Sequence, residues 1–509
     1  MTSVLAARRC ASAPAAGFSF ELFAILEQGW CTYPLADSVS PAALARQLLA
    51  ILNRDSTRLA RIDAYLHGRH DDPYMPPQAD DEYRLLAARS ISNWLPLLVG
   101  TPAQALYVDG FRSGDAGGGL PAPAETTSVE WAHWQRSRLD ARQAAIYRGA
   151  LAYGHSFTVT EKSRTGQVRT KGLSALRTTA LYEDAANDET PYAALTVTAW
   201  PMGETRGRAR LWDARHEYAV SFRALDDEKS IVVSEARRHG ASECPVTRFA
   251  ASIDLEGRTL GVIEPMMALQ DRINQTIFDL LLCQTYGSTK VRTVTGMAPP
   301  VRRDPETGEA LLDEQGNPVP LPINHNARRF LFAEDPDVRF GSLDETPLGG
   351  FIDSVDMSIR HLAAVSQTPP HHLLGQIANL SAEALLAAET ALSRKIAEFR
   401  TAFGESWERV FRLAAEIAGN SSSAADHMGE VIWRDMESRS LAQSADALGK
   451  LKEQLGIPAK GLWRRVPGVS QTEYEDWEQM AEEEDSVGQL ATALTRATPD
   501  PAGRTAVAA

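Results

Sequence analysis

An α+β fold is predicted for this 509-residue chain from three features. Apolar stripes at helical period occupy the sequence before residue 155 and after residue 265. Between them lies a run of β-branched and aromatic segments, and near the C-terminus one stripe keeps helical period from Ala382 to Ile417.

Residues 1–40 are rich in Ala and Ser and read as a loosely held extension. From Pro41 the spacing of Leu44, Leu48, Ile51, Leu59, Ile62 and Leu66 predicts a helix, followed by a turn-rich stretch from Gly68 to Gln78. Helix-compatible sequence resumes through Leu85, Ile91, Trp94 and Leu97. Ala105–Phe111 reads as a short strand and turn, and Gly114–Ala124 as a Gly/Pro loop. Trp131, Trp134, Leu139, Ala144 and Ile146 mark the apolar face of a helix over Trp131–Tyr153. Strands are expected at Ser156–Thr160, Tyr192–Trp200, Tyr218–Phe222 and Ile231–Ser234, where β-branched and aromatic residues concentrate.

After Pro265 the three- and four-residue steps of Met266, Leu269, Ile273, Ile277, Leu280 and Leu281 predict an amphipathic helix ending near Gly287. Residues 288–345 interrupt it with strand-like Lys290–Val294 and Arg329–Phe332 and a hairpin-like stretch from Asp304 to Pro322. Helix returns at Phe351 with Ile352, Val355, Ile359, Leu362 and Val365, until Pro369-Pro370 removes backbone donors and forces a break. Ser381 is placed to cap the next helix, with Glu383 in its first turn where negative charge suits the helix dipole. The stripe Leu385, Leu392, Ile396, Phe399, Phe403, Trp407, Val410, Ala414 and Ile417 carries that helix to Gly419, a rod of about 55 Å. Helices near Leu441–Leu455 and Glu473–Glu484 flank the break Gly456-Ile-Pro458, and the tail after Ser486 reads as disordered.

Bulk composition is that of a folded chain, with 44% hydrophobic and 23% charged residues, and the length calls for about three modules. No apolar run approaches the roughly 20 residues of a membrane span, and the sequence after Arg8-Arg9 is too broken for a signal peptide, so a cytoplasmic site of synthesis and residence is expected. Cys10, Cys31, Cys244 and Cys283 lack pairing or metal spacing and read as reduced thiols. A net charge of −14 argues against a sequence-reading DNA binder, whose affinity would come from neutralised phosphates. It leaves open a pore through which DNA slides.

Chemistry-bearing motifs are scarce. Gly287-Ser-Thr-Lys290 has the letters of a phosphate loop in the wrong order, and Gly117-Gly-Gly119 follows no strand. His371-His372, with His361 one helix earlier, show neither an i,i+4 pair nor a supporting carboxylate, and read as loop or interface histidines. Asp71-Asp72, Asp80-Asp81-Glu82 and Glu482–Asp485 read as solvated acidic surface. No catalytic residue, metal or cofactor is therefore expected. Lys290, Arg292, Arg302, Arg303, Arg328 and Arg329 cluster in one strand-and-turn region of an acidic protein. They are either ordinary surface charge or a local docking face for DNA or an acidic partner.

The order of elements, and the local wording within it, resembles the portal (head-to-tail connector) proteins of tailed bacteriophages over about residues 40–485. The resemblance is carried by Trp131-x-x-Trp134 with Leu139-Asp140, Ala150-Leu-Ala-Tyr-Gly154, Cys244-Pro-Val-Thr-Arg-Phe249 and Leu269-Gln-Asp-Arg-Ile-Asn274. Further on it includes Ser366-Gln-Thr-Pro-Pro370, Leu374-Gly375, Asn379-Leu-Ser-Ala-Glu383, Val431-Ile-Trp-Arg-Asp435, Leu451–Pro458 and Pro467-Gly468. It implies an N-terminal extension (1–40), an α+β wing (41–261), a first stem helix (262–287), a β-containing clip (288–345) and a second stem helix (346–370). A tunnel-loop region (371–381), one very long helix (382–419), a helical crown (420–485) and a tail (486–509) would follow. Gly375, Gln376, Ile377, Ala378, Asn379 and Leu380 would face DNA, and the basic cluster would be the clip's docking surface. The implied partners are further copies in a ring of twelve, double-stranded DNA passing without sequence readout, the large terminase subunit, major capsid protein, scaffold and a head-completion adaptor. The implied location is the portal vertex of the virion, after assembly in the host cytoplasm. Another non-enzymatic virion adaptor or scaffold, and a metal-dependent nuclease, remain as rival readings.

Overall fold

The computed structural model describes residues 39–76, 81–114, 129–163, 165–287, 292–295, 347–375, 382–434, 441–463 and 471–484, with parts of 301–319 and 339–342 and residues 465, 466 and 469. Met1–Ser40 and Pro41–Ala509 are separate units, and every element belongs to the second. The expectations for the N-terminal extension and the C-terminal tail lie outside the described residues.

Helix α1 (Pro41–Leu66) buries Leu44, Leu48, Leu52, Leu59 and Ile62 along one face, as its spacing requires. Helices α2 (Asp81–Ser90) and α3 (Leu95–Gln104) follow, then strand β1 (Val108–Arg112). The single helix expected over Trp131–Tyr153 is two, α4 (Val129–Ser137) and α5 (Leu139–Tyr153). Arg138 between them has φ 55, a left-handed conformation that interrupts the helical ladder. Across this corner Trp134 Nε1 donates to Asp140 Oδ1 at 2.6 Å. Helix α5 ends at Gly154 with φ 93, where a Cβ would lie 2.9 Å from the Thr259 carbonyl oxygen, so only glycine fits.

Eight strands follow: β2 (His155–Lys162), β3 (Val168–Leu173), β4 (Thr178–Leu181), β5 (Ala193–Ala199), β6 (Gly207–Trp212), β7 (His216–Phe222), β8 (Val232–Arg238) and β9 (Val246–Ala250). Strands β4 to β8 form an antiparallel meander in chain order, while β2 sits between β3 and β9 in a second antiparallel sheet. Val159 is the register point, opposite both Lys171 and Val246. The four expected strands are β2, β5, β7 and β8. Residues 246–250, between the strand expected at Ile231–Ser234 and the helix expected after Pro265, form β9 and pair with β2.

Helix α6 (Met267–Gly287) leads to strand β10 (Arg292–Thr295), which pairs antiparallel with β11 (Arg339–Ser342), Val294 opposite Phe340. The strand expected at Arg329–Phe332 lies outside the described residues. The hairpin-like stretch is visible in the bridges Arg303 with Ala310 and Leu312 with Pro318. Helix α7 (Gly349–Ser366) packs against α6, and Arg272 Nη2 donates to His361 Nδ1 across that contact at 3.0 Å. Short α8 (Pro370–Leu374), the long α9 (Ala382–Ala418), α10 (Ser421–Ala424) and β12 (Glu430–Trp433) come next. Helices α11 (Leu441–Leu455), α12 (Ala459–Trp463) and α13 (Gln471–Glu484) end the described chain.

The C-terminal half of α9 runs through the core of the α+β region. Phe399, Phe403, Trp407, Val410 and Phe411 are buried there with Trp134, Tyr147 and Phe249. Trp407 meets Trp134 and Phe249 edge-on at 4.8 and 4.7 Å between ring centroids, and its Nε1 donates to Tyr147 Oη at 2.7 Å. Arg409, only 3% exposed, donates from Nη1 to the Val246 carbonyl at 2.9 Å and from Nη2 to the Cys244 carbonyl at 3.1 Å. Buried charge is tolerated there because its donors are used. Strand β12 returns to pair with β1, which ties the chain after α9 back to the N-terminal helices.

Candidate functional site

Both ends of the segment between α8 and α9 are held by specific contacts. Helix α7 stops where Gln367 turns left-handed at φ 55, and the Thr368 amide donates back to the Ala363 carbonyl at 3.0 Å. Pro369 is extended, and Pro370 opens α8 at the first helical position, where its missing N–H costs nothing. The expected proline break is therefore a break followed by one short new helix. Leu373 anchors α8 in the main core, and Gly375 closes it at φ 66 with its amide donating to the His371 carbonyl at 3.0 Å. Gly375 is exposed; Gln376, Ile377, Ala378, Asn379 and Leu380, the rest of the expected DNA-facing loop, lie outside the described residues.

On the far side, α9 reaches back to the same point. Lys395 Nζ donates to the Ser366 carbonyl at 2.8 Å, placing a cation on the C-terminal end of α7, where the helix dipole favours it. Burial pushes the Lys395 pKa down. His371 Nε2 and His372 Nε2 lie 2.8 and 2.9 Å from one oxygen, Glu389 Oε1. The two histidines thus stand on a helix and do have a supporting carboxylate, contrary to the expectation from sequence. Glu389 comes from the second turn of a different helix, so no local spacing announces it.

Helix α6 is locked to the N-terminal helices by buried amides from the Leu269–Asn274 run. Gln270 Oε1 accepts from the Trp94 amide at 3.0 Å and Gln270 Nε2 donates to the Ser92 carbonyl at 2.7 Å. Asn274 Oδ1 accepts from the Ser92 amide at 3.2 Å, and Asn274 Nδ2 lies 2.8 Å from His70 Nδ1. His70 Nε2 is 3.0 Å from the Tyr65 carbonyl and must donate there, which leaves Nδ1 as the acceptor for Asn274.

Of the basic cluster, Lys290, Arg328 and Arg329 lie outside the described residues, as does the side chain of Arg292, whose backbone opens β10. Arg302 and Arg303 are exposed next to each other, with the Arg302 amide donating to the Val319 carbonyl at 2.9 Å. A cationic concavity that the sequence did not announce lies elsewhere: Arg136, Arg138, Arg142, Arg169 and Lys171 line a cavity of about 340 Å³. Its residues come from the α4–α5 corner and from β3, two segments that only folding brings together. Asp71 pairs with Arg61 at 2.7 Å and Asp81 with Arg84 at 3.6 Å. Among the described residues these acids gather into no set of three potential metal ligands. Cys244 and Cys283 are free thiols, and burial pushes the Cys244 pKa up to about 12, the state of an inert core thiol.

Sequence comparison relates the chain to known proteins. Residues 45–488 match the family described as "Phage portal protein, SPP1 Gp6-like". The portal protein of Mycobacterium phage D29 is 26% identical over 409 residues, covering 77% of this chain and 79% of the relative. That of Mycobacterium phage L5 is 24% identical over 476 residues, covering 88% and 90%. No helix among the described residues is long and apolar enough to cross a membrane. A match spanning nearly the whole folded region makes this chain a member of the SPP1 Gp6-like family of phage portal proteins.

Proposed function

We propose that the chain is one subunit of a closed ring at a unique capsid vertex, through which DNA enters during packaging and leaves during ejection. In this reading residues 41–261 are the wing, α6 and α7 the stem, residues 288–345 the clip, residues 375–380 the tunnel loop, and α9 the spar behind it. Residues 420–485 form the crown. The observation that carries the reading is the side-by-side packing of α6 and α7, with a small β insertion between them in sequence, followed by a pinned break and a 37-residue helix.

The surface supports it. Met357 and Val365 on α7 are 52% and 59% exposed, apolar positions that a ring neighbour would cover. Gly375 to Asn379 carry no charge, so the loop touches passing DNA without the phosphate-binding contribution that would arrest it. The net charge of −14 serves conduction in the same way. Arg302 and Arg303, with Lys290, Arg292, Arg328 and Arg329, form the docking face for the large terminase subunit and then for a head-completion adaptor. Major capsid protein and scaffold contact the outer rim. The ring has twelve subunits in the virion, and the chain conducts and docks; it catalyses nothing and needs no cofactor for this.

Deleting Gln376 to Asn379 tests the assignment. Rings of the deleted form are expected to assemble normally, because both loop ends are anchored by contacts outside the deletion, while DNA packaging or retention falls. Wild-type packaging by intact rings lacking these residues would reject the tunnel loop.

A further inference from the structure

His371 and His372 are neighbours on α8, and side chains one residue apart on a helix diverge by about 100°. Here their ring centroids are 4.5 Å apart and both Nε2 atoms approach the same Glu389 Oε1, at 2.8 and 2.9 Å. The ligand atoms of all three side chains lie within 4.8 Å of one another, the one such group of three among the described residues. The His371 side chain is 11% exposed, while those of His372 and Glu389 are 35% and 32% exposed. The group therefore has a protected wall and an open side.

We propose that His371, His372 and Glu389 form a binding site for a divalent transition-metal ion of the Zn2+ type, which staples α8 to α9. Two imidazole nitrogens and one carboxylate oxygen suit Zn2+ or Co2+, whereas Ca2+ and Mg2+ take oxygen ligands. Tetrahedral ligands at about 2.0 to 2.1 Å from the ion stand about 3.3 Å apart, so each histidine nitrogen need move only about half an ångström further from Glu389 Oε1. Metal binding replaces the two N–H···O contacts: each Nε2 presents its lone pair to the ion, and each proton moves to Nδ1. The fourth position faces the open side and takes water. The ion would cross-link the last helix before residues 376–381 to the first turns after them, fixing the base of that segment. The site depends on these three side chains alone and not on the ring proposed above.

The test uses full-length, untagged protein stripped with a chelator and titrated with Co2+. The expected result is the visible absorption of four-coordinate Co2+, saturating at about one ion per chain. Zn2+ should displace it and raise the thermal unfolding midpoint. Glu389→Gln keeps an oxygen acceptor for the histidines, so helix packing should survive, but Co2+ affinity should fall at least about tenfold. His372→Asn should do the same, and His427→Asn, at an exposed histidine outside the group, should change nothing. No four-coordinate signal from wild type, unchanged affinity in Glu389→Gln, or an equal loss in His427→Asn would each overturn the site. Glu389→Gln should still form rings; loss of the metal with rings retained separates this site from the portal assignment.

Discussion

His133 on α4 lies with its Nε2 2.9 Å from Thr170 Oγ1, and burial, helped by the nearby Arg136 guanidinium, pushes its pKa down to about 4. In the unfolded chain an imidazole titrates near 6.5, so between these values the unfolded state binds a proton that the folded state refuses. Stability from His133 is thus fully present above about pH 6.5 and is lost as pH falls towards 4, on the order of 2 kcal/mol by pH 5. His133→Asn, which cannot charge, is expected to shrink the difference between urea midpoints at pH 7 and pH 5. A difference as large as wild type would show that the ring is not the source. Residue by residue, the sequence was most legible where burial alone decides: Trp134, Phe403 and Trp407 read as core and are core. It was least legible where partners come from afar. The pair His371-His372 is plain to see, but Glu389, seventeen residues beyond His372, becomes its partner only once α9 folds back.

At the scale of elements, α6 depends on two side-chain amides as much as on its apolar stripe. Replacing Gln270 and Asn274 together with Leu leaves the Trp94 and Ser92 amides and the Nδ1 of His70 without these partners in a partly buried site, at a cost of about 3 kcal/mol. Faster hydrogen exchange is expected in α6 and over residues 90–94, with β4 to β8 unaffected; uniform protection would mean that apolar packing alone holds the helix. Helices with sustained period, α1, α6, α7 and α9, were predicted to within a few residues because one apolar face must repeat over many turns. The α4–α5 corner was missed because Arg138 takes a left-handed conformation without glycine or proline to signal it. Strands β3 and β6 were missed for another reason. Val168-Arg-Thr-Lys-Gly-Leu173 and Gly207-Arg-Ala-Arg-Leu-Trp212 carry charged residues on their outward faces, which dilutes β enrichment in a plain reading. The β10–β11 pairing joins segments more than forty residues apart, a distance over which local pattern has no reach.

For the whole molecule, the anchoring contacts converge on one arrangement. Helix α9 is embedded in the α+β core at its C-terminal half and tied to α7 and α8 nearer its start, by Lys395 and Glu389. The described chain on both sides of residues 376–381 is thereby joined to the main core, through Leu373 on α8 and through α9. Exposed Met357 and Val365, the uncharged loop and the acidic balance have a common explanation if copies stand side by side around a duplex. Electron microscopy of the purified protein tests this most directly. Closed rings are expected, with an axial hole wide enough for a DNA duplex and with α6 and α7 of every subunit lining it. Closed particles with no axial hole, or rings in which those two helices face outward, would contradict it.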